Sequence, residues 1–348
     1  MAGLAVGPVS AGPDFATRLV ISGFRGTDPG DPDVLEICRY LSAGEIAGVI
    51  LLRRNIVSPE QVLKLSLAFR AAAATYAPII SIDQEGGSVS RLEGASGFSP
   101  WKSAAEVAFL MQRQDDIYGY YLERARELAA VGITLNFGPV VDLNTNPLNP
   151  IIGMLDRSYG RDPELVIRCA SAFVRAHRDA GLQTCLKHFP GHGSSTTDSH
   201  LGSADVNATW SEAELDPFYA LVAAGLSDSI MTSHLTHQRF SDGGSLPVSL
   251  SRKAVAAIRT EIGFAGTVIS DDMQMRAIAD AFGEANAAIA AVNAGNTFLI
   301  YANFHDQDRV ETAARINASV RDALDRGQIP AETWQSRLSL AQGFLRAA

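Results

Sequence analysis

The chain has 348 residues, 47% hydrophobic and 19% charged, with a formal net charge of −9, which suits a globular protein with a sizeable core and excludes a disordered or fibrous one. The acidic balance offers no basic field for nucleic acid or an anionic membrane surface. No window approaches 18 uninterrupted apolar residues, and MAGLAVGPVSAGPDFATRLVISGF lacks the basic start and apolar core of a signal peptide, so no membrane association and a cytoplasmic location are expected.

Short runs rich in Val, Ile and Leu recur along the chain, each ending in polar or glycine-containing residues. They are RLVISGFRG (18–26), GVILLRRN (48–55), PIISIDQEGG (78–87), GITLNFGPVVDLN (132–144), QTCLKHFPGHG (183–193), SIMTSHL (229–235), GTVISDDM (266–273) and NTFLIYAN (296–303). Such runs predict strands buried on both faces, the pattern of a parallel sheet. Helix-length segments separate them. Ser58-Pro59-Glu60 and Asp162-Pro163-Glu164 each place a capping residue before a proline, and the second helix is expected to end near Gly181. Thr209 and Glu212 read as a capping box ahead of ELDPFYALVAAG. Helical periodicity also fills 101–130, 251–262, 273–294, 308–326 and 331–347. Eight unbroken β-then-α units predict a single α/β domain over 1–348, a (β/α)8 TIM-type barrel, and a compact domain of this kind is expected to work as a monomer.

In such a barrel the catalytic groups sit where strands run into the following loops. At those tips stand Arg25; Arg53, Arg54 and Asn55; Asp83, Glu85 and Arg91; Asn136 and Asp142; Lys187 and His188; Ser233 and His234; and Asp271 and Asp272. Their gathering on one face predicts a polar pocket lined with titratable side chains. Arg53 or Arg54 could equally pair with a neighbouring loop, and Asp142 could be a turn residue. Gly86, Gly87, Gly191 and Gly193 could serve only to supply positive φ. Two long segments, about 137–160 and 189–207, exceed what a connector needs. The three cysteines, Cys38, Cys169 and Cys185, form no CxxC pair and read as reduced thiols.

Three of the seven histidines fall within KHFPGHGSSTTDSH (187–200). Asp198, His200, His188 and His192 include zinc ligand types. The HxxxH spacing, however, spans Pro190-Gly191 after a strand, so the one-face argument of a helical zinc motif does not apply, and no metal or other cofactor is expected. An acid/base reading needs less: Asp198 beside His200 would fix a tautomer and let the imidazole exchange a proton near neutrality. A carboxylate at a strand end, Asp271, would then supply the nucleophile for double displacement at an acetal carbon.

KHFPGHGxxxxDSH resembles, position for position, the signature of glycoside hydrolase family 3 β-N-acetylhexosaminidases. IDQEGG (82–87), NFGPVVDLN (136–144), DRSYGRDP (156–163), MTSH (231–234) and ISDDMQM (269–275) follow in register, so the resemblance spans roughly residues 18–300. The resemblance implies a retaining exo-β-N-acetylglucosaminidase, with Asp271 as nucleophile, His200 as general acid/base and Asp198 as its partner. It assigns Asp83, Arg91, Arg157, Lys187 and His188 to the terminal N-acetylglucosamine, His234 to the pocket wall and His192 to loop shape. The implied partner is an N-acetylglucosamine-containing oligosaccharide or a muropeptide of peptidoglycan recycling. A phosphorylase, a β-glucosidase or a sugar-binding protein without turnover are the competing readings. Two departures stand out: Ser88 replaces an arginine of many relatives, and Asn296 replaces a usual aspartate, which is expected to remove a charge near the barrel mouth.

Overall fold

The computed structural model describes residues 17–93, 95, 97–197, 204–305 and 307–347. Eight strands close a parallel barrel: β1 (Val20–Ser22), β2 (Ile46–Leu51), β3 (Ile79–Ile82), β4 (Leu135–Asn136), β5 (Gln183–Phe189), β6 (Ser229–Thr232), β7 (Thr267–Asp272) and β8 (Phe298–Tyr301). Each pairs with its sequence neighbours, and β1 closes the ring on β8, Ile21 opposite Ile300. All eight predicted runs are therefore barrel strands. Pleat alternation sorts their side chains: along β2 and into the next residue, Ile46, Val49 and Leu51 face the surrounding helices, while Ala47, Ile50 and Leu52 fill the barrel. This two-sided burial is what the continuous apolar runs encode.

Eleven α-helices are found among the described residues, numbered in chain order: α1 (Pro32–Ser42), α2 (Pro59–Ala72), α3 (Ala104–Leu110), α4 (Gln114–Ala130), α5 (Pro163–Asp179), α6 (Asp216–Ala223), α7 (Arg252–Thr260), α8 (Arg276–Phe282), α9 (Glu284–Ala294), α10 (Thr312–Asp325) and α11 (Ala331–Ala347). Ser58 caps α2 by accepting from the Gln61 N–H, and Asp162 caps α5 by accepting from Glu164. Three expectations are corrected. The pattern over 101–130 divides into α3 and α4, because Met111 and Arg113 adopt extended backbone. The pattern over 273–294 divides at Gly283, whose φ of 72° no helix admits. Thr209 and Glu212 form no capping box: Glu212–Leu215 is a 3₁₀ turn and α6 starts at Asp216, where Pro217 occupies the first turn and has no N–H to leave unsatisfied.

The helix α11 closes the barrel floor. Ala341, Phe344 and Leu345 join the interior cluster, and Gln183, the first residue of β5, donates to the Phe344 carbonyl. Arg337 is buried and donates to the carbonyls of Thr17, Arg18 and Thr297, all just ahead of strand starts. Its guanidinium lies over the Trp334 ring, 4.6 Å from the centroid. With the N-terminal mouth plugged, the C-terminal mouth is left for a site. No helix among the described residues is long and apolar enough to cross a membrane.

Candidate active site

A cavity of about 640 Å³ opens at the C-terminal mouth, within the range of about 300–1,000 Å³ usual for small-molecule sites. Of the residues predicted for a site, Asp83, Arg91, Arg157, Lys187, His188 and Asp271 line it. They come from the ends of β3, β5 and β7 and from the long segment before α5, so the topology gathers what the sequence scatters over nearly 190 positions. Asp198 and His200 lie outside the described residues.

The wall is a chain of alternating charges. Lys187 Nζ stands 2.8 Å from Asp83 Oδ1 and 2.7 Å from Glu85 Oε1. Arg157 grips Glu85 with two donors, each at 2.8 Å, and donates a third hydrogen bond to the Ile151 carbonyl. Burial alone would raise the Glu85 carboxyl, but Arg157 and Lys187 overcome it and hold it well below the usual carboxylate range. Lys187, which burial would lower, is raised by Asp83 and Glu85. The Glu85 carboxylate and the Lys187 ammonium are therefore both charged near neutrality, each held so by its partners. Arg91 lies 3.7 Å from Asp83 without a hydrogen bond, and its Nε makes none. Donor capacity thus remains at the cavity edge.

Asp142, weighed above as a turn residue, is instead fully buried behind this wall. Its Oδ2 stands 2.7 Å from His188 Nδ1, and its Oδ1 accepts from the backbone N–H of His188 and of His192. His188 is thereby fixed in orientation, its Nε2 3.4 Å from Arg157. His192, whose pKa burial lowers to about 4, is neutral. Gly191, at φ 120°, does need positive φ, whereas Gly193 is glycine for another reason: a Cβ there would meet the Leu143 carbonyl oxygen at 1.6 Å.

At the end of β7 the two aspartates divide. Asp272 Oδ1 accepts from the N–H groups of Gln274 and Ala302 and so ties the turn after β7 to the end of β8. Burial pushes its carboxyl up to about 7. Asp271 Oδ1 accepts from the Asp272 N–H, and the side chain faces the cavity. His234 does not line the cavity; its rings atoms stand 2.7 Å from Ser249 Oγ and 2.8 Å from the Asp272 carbonyl, so it braces the backbone beside Asp271.

Other strand-tip groups are structural. Arg53 pairs with exposed Glu93, and Arg54 donates to the carbonyls of Phe24, Ala302, Asn303 and Phe304. Ser233 Oγ donates to the Phe189 carbonyl. Ser88 makes one long hydrogen bond to the Leu155 carbonyl. The expectation for Asn296 is corrected: it precedes β8, is fully buried, and satisfies Thr232, Ser249 and Ala291, so the substitution changes no charge at the mouth.

Residues 33–339 match the glycosyl hydrolase family 3 N-terminal domain. A beta-hexosaminidase of Tolumonas auensis is 38% identical over 78% of this chain and 79% of its own length. Beta-hexosaminidase A of Pseudoalteromonas piscicida is 31% identical over 87% of this chain, which spans only 54% of that relative. A solved family 3 β-N-acetylglucosaminidase from Paenibacillus superposes over 99% of this chain and 63% of its own, with a TM-score of 0.85 at 32% identity.

Proposed function

The chain belongs to glycosyl hydrolase family 3, and from that premise and the geometry of the mouth we propose that it is a retaining exo-β-N-acetylglucosaminidase carried on a single barrel domain. The observation that supports this best is the placement of Asp271 at the end of β7, facing the cavity walled by Asp83, Arg91, Arg157, Lys187 and His188. A terminal sugar needs several directional contacts to its hydroxyls, and fixed, charge-balanced donors and acceptors supply them at low reorganisation cost.

In this reading Asp271 attacks the anomeric carbon while protonated His200 donates to the leaving oxygen. The glycosyl–enzyme forms with inverted configuration; water, deprotonated by neutral His200, then attacks and restores the β configuration. Asp198 holds the His200 tautomer. The two relatives are named beta-hexosaminidases, which supports the N-acetylhexosaminide class. A muropeptide is the natural substrate proposed, since a neutral histidine base does not repel an anionic aglycone.

Initial rates on 4-nitrophenyl β-N-acetylglucosaminide and on the β-glucoside, with chelator and with phosphate, test the proposal. Turnover of the N-acetyl substrate should be insensitive to chelator and should not depend on phosphate. Asp271→Ala should lose a factor on the order of 10³ or more, as expected when a nucleophile is removed. Retained activity in Asp271→Ala, or strict dependence on phosphate, would overturn the hydrolase mechanism.

A further inference from the structure

Phe304 leaves 56% of its surface exposed while lining the same cavity as Asp271. Exposed aromatics are common enough singly, but the backbone that carries this one is fixed by several contacts. The residue before it, Asn303, has φ 48°, the left-handed region that a side chain seldom adopts. Such a conformation persists when its surroundings over-determine it, and here they do. The Asn303 N–H donates to Gln274 Oε1 at 2.7 Å, Gln274 Nε2 donates back to Asn303 Oδ1, and Asn303 Nδ2 donates to the Gly23 carbonyl. Arg54 then clamps three successive carbonyls, those of Ala302, Asn303 and Phe304. The ring of His305 meets Phe304 edge-on at 5.6 Å.

Gln274 lies three residues after Asp271, in the turn that Asp272 ties to Ala302. The position of Phe304 is therefore set by the segment that carries Asp271. Across the mouth from the charged groups of β3 and β5 stand Met275, after β7, and Phe304, after β8, while the apolar Ile151 and Leu155 belong to the segment that carries Arg157. The cavity volume of about 640 Å³ exceeds what one sugar ring fills.

Resting on the proposed glycosidase reading, we propose that Phe304 is the platform of a leaving-group subsite, and that its occupant is a second pyranose whose C–H face stacks on the ring. The terminal sugar sits against the charged wall, the scissile bond lies over Asp271, and the next sugar lies on Phe304. A flat apolar face carried on a fixed backbone gains contact without a cost in ordering the main chain on binding.

The test compares kcat/KM for the β-1,4-linked disaccharide of N-acetylglucosamine with that for its methyl β-glycoside, whose aglycone is too small to reach the ring. The disaccharide-to-methyl ratio should fall about tenfold in Phe304→Ala, the size of one aromatic contact, and return to within about threefold of wild type in Phe304→Trp. A ratio unchanged in Phe304→Ala, or a loss that tryptophan does not restore, would overturn the platform and leave the glycosidase reading standing. Failure of the wild type to hydrolyse either glycoside would instead overturn both.

Discussion

Glu85 shows why a residue's chemistry cannot be read from its type alone. At the sequence level it is one polar group among several at the tip of β3, and the resemblance assigns it no role. In the structure it is the junction of the ion chain, shared between Arg157 and Lys187 and nearly inaccessible. Its importance lies in whom it meets, and Arg157 is 72 residues away. Removing one member of a buried charge pair leaves the others uncompensated, which costs more than the pair itself is worth. Glu85→Gln is expected to destabilise the protein by about 3 kcal/mol in denaturant unfolding. It should also raise KM, because Arg157 and Lys187 lose the partner that aims them. An unchanged unfolding midpoint would show that the ion chain is not coupled to the fold.

Elements were legible where a periodic demand reaches every residue. Each barrel strand must be apolar on both faces, so eight runs announced eight strands, and Ser58-Pro59 and Asp162-Pro163 announced two helix starts. What stayed hidden depends on single local events: the left-handed Gly283 between α8 and α9, the extended Met111–Arg113 between α3 and α4, and the 3₁₀ turn ahead of α6. In that turn sits Glu214, fully buried and packed against Gly191. No periodicity signals such a group. Burial raises its pKa from the usual 4.5 to about 7. Between those values the native state holds a proton that the unfolded chain releases, so this carboxyl's contribution to stability falls as pH rises and stays low above pH 7. Glu214→Gln cannot ionise. Its stability relative to wild type should therefore increase by about 3 kcal/mol between pH 4 and pH 8, measured as the difference in unfolding free energy at the two values. A pH-independent difference would contradict a buried, titrating Glu214.

Over the whole molecule the two mouths of the barrel carry different burdens. The C-terminal mouth collects groups that stability alone would not choose: a left-handed Asn303, an exposed Phe304 and a chain of buried charges. The N-terminal mouth is filled by apolar side chains of α11 and by Arg337 satisfying three backbone carbonyls. In this architecture conservation of shape at the floor serves the fold, and chemistry belongs to the loops above. Phe344 tests the division, because it is buried in the barrel interior, 5.8 Å from Phe298 at the start of β8, and does not itself line the cavity at the upper mouth. Phe344→Ala should cost about 3–4 kcal/mol of unfolding free energy, the transfer and cavity cost of a large aromatic. At a temperature where the variant remains folded, its kcat/KM should stay within about twofold of wild type, since rigid strands lie between the floor and Asp271. A parallel loss of kcat/KM would mean that the floor sets the geometry of the mouth, and the separation of fold from function in this barrel would fail.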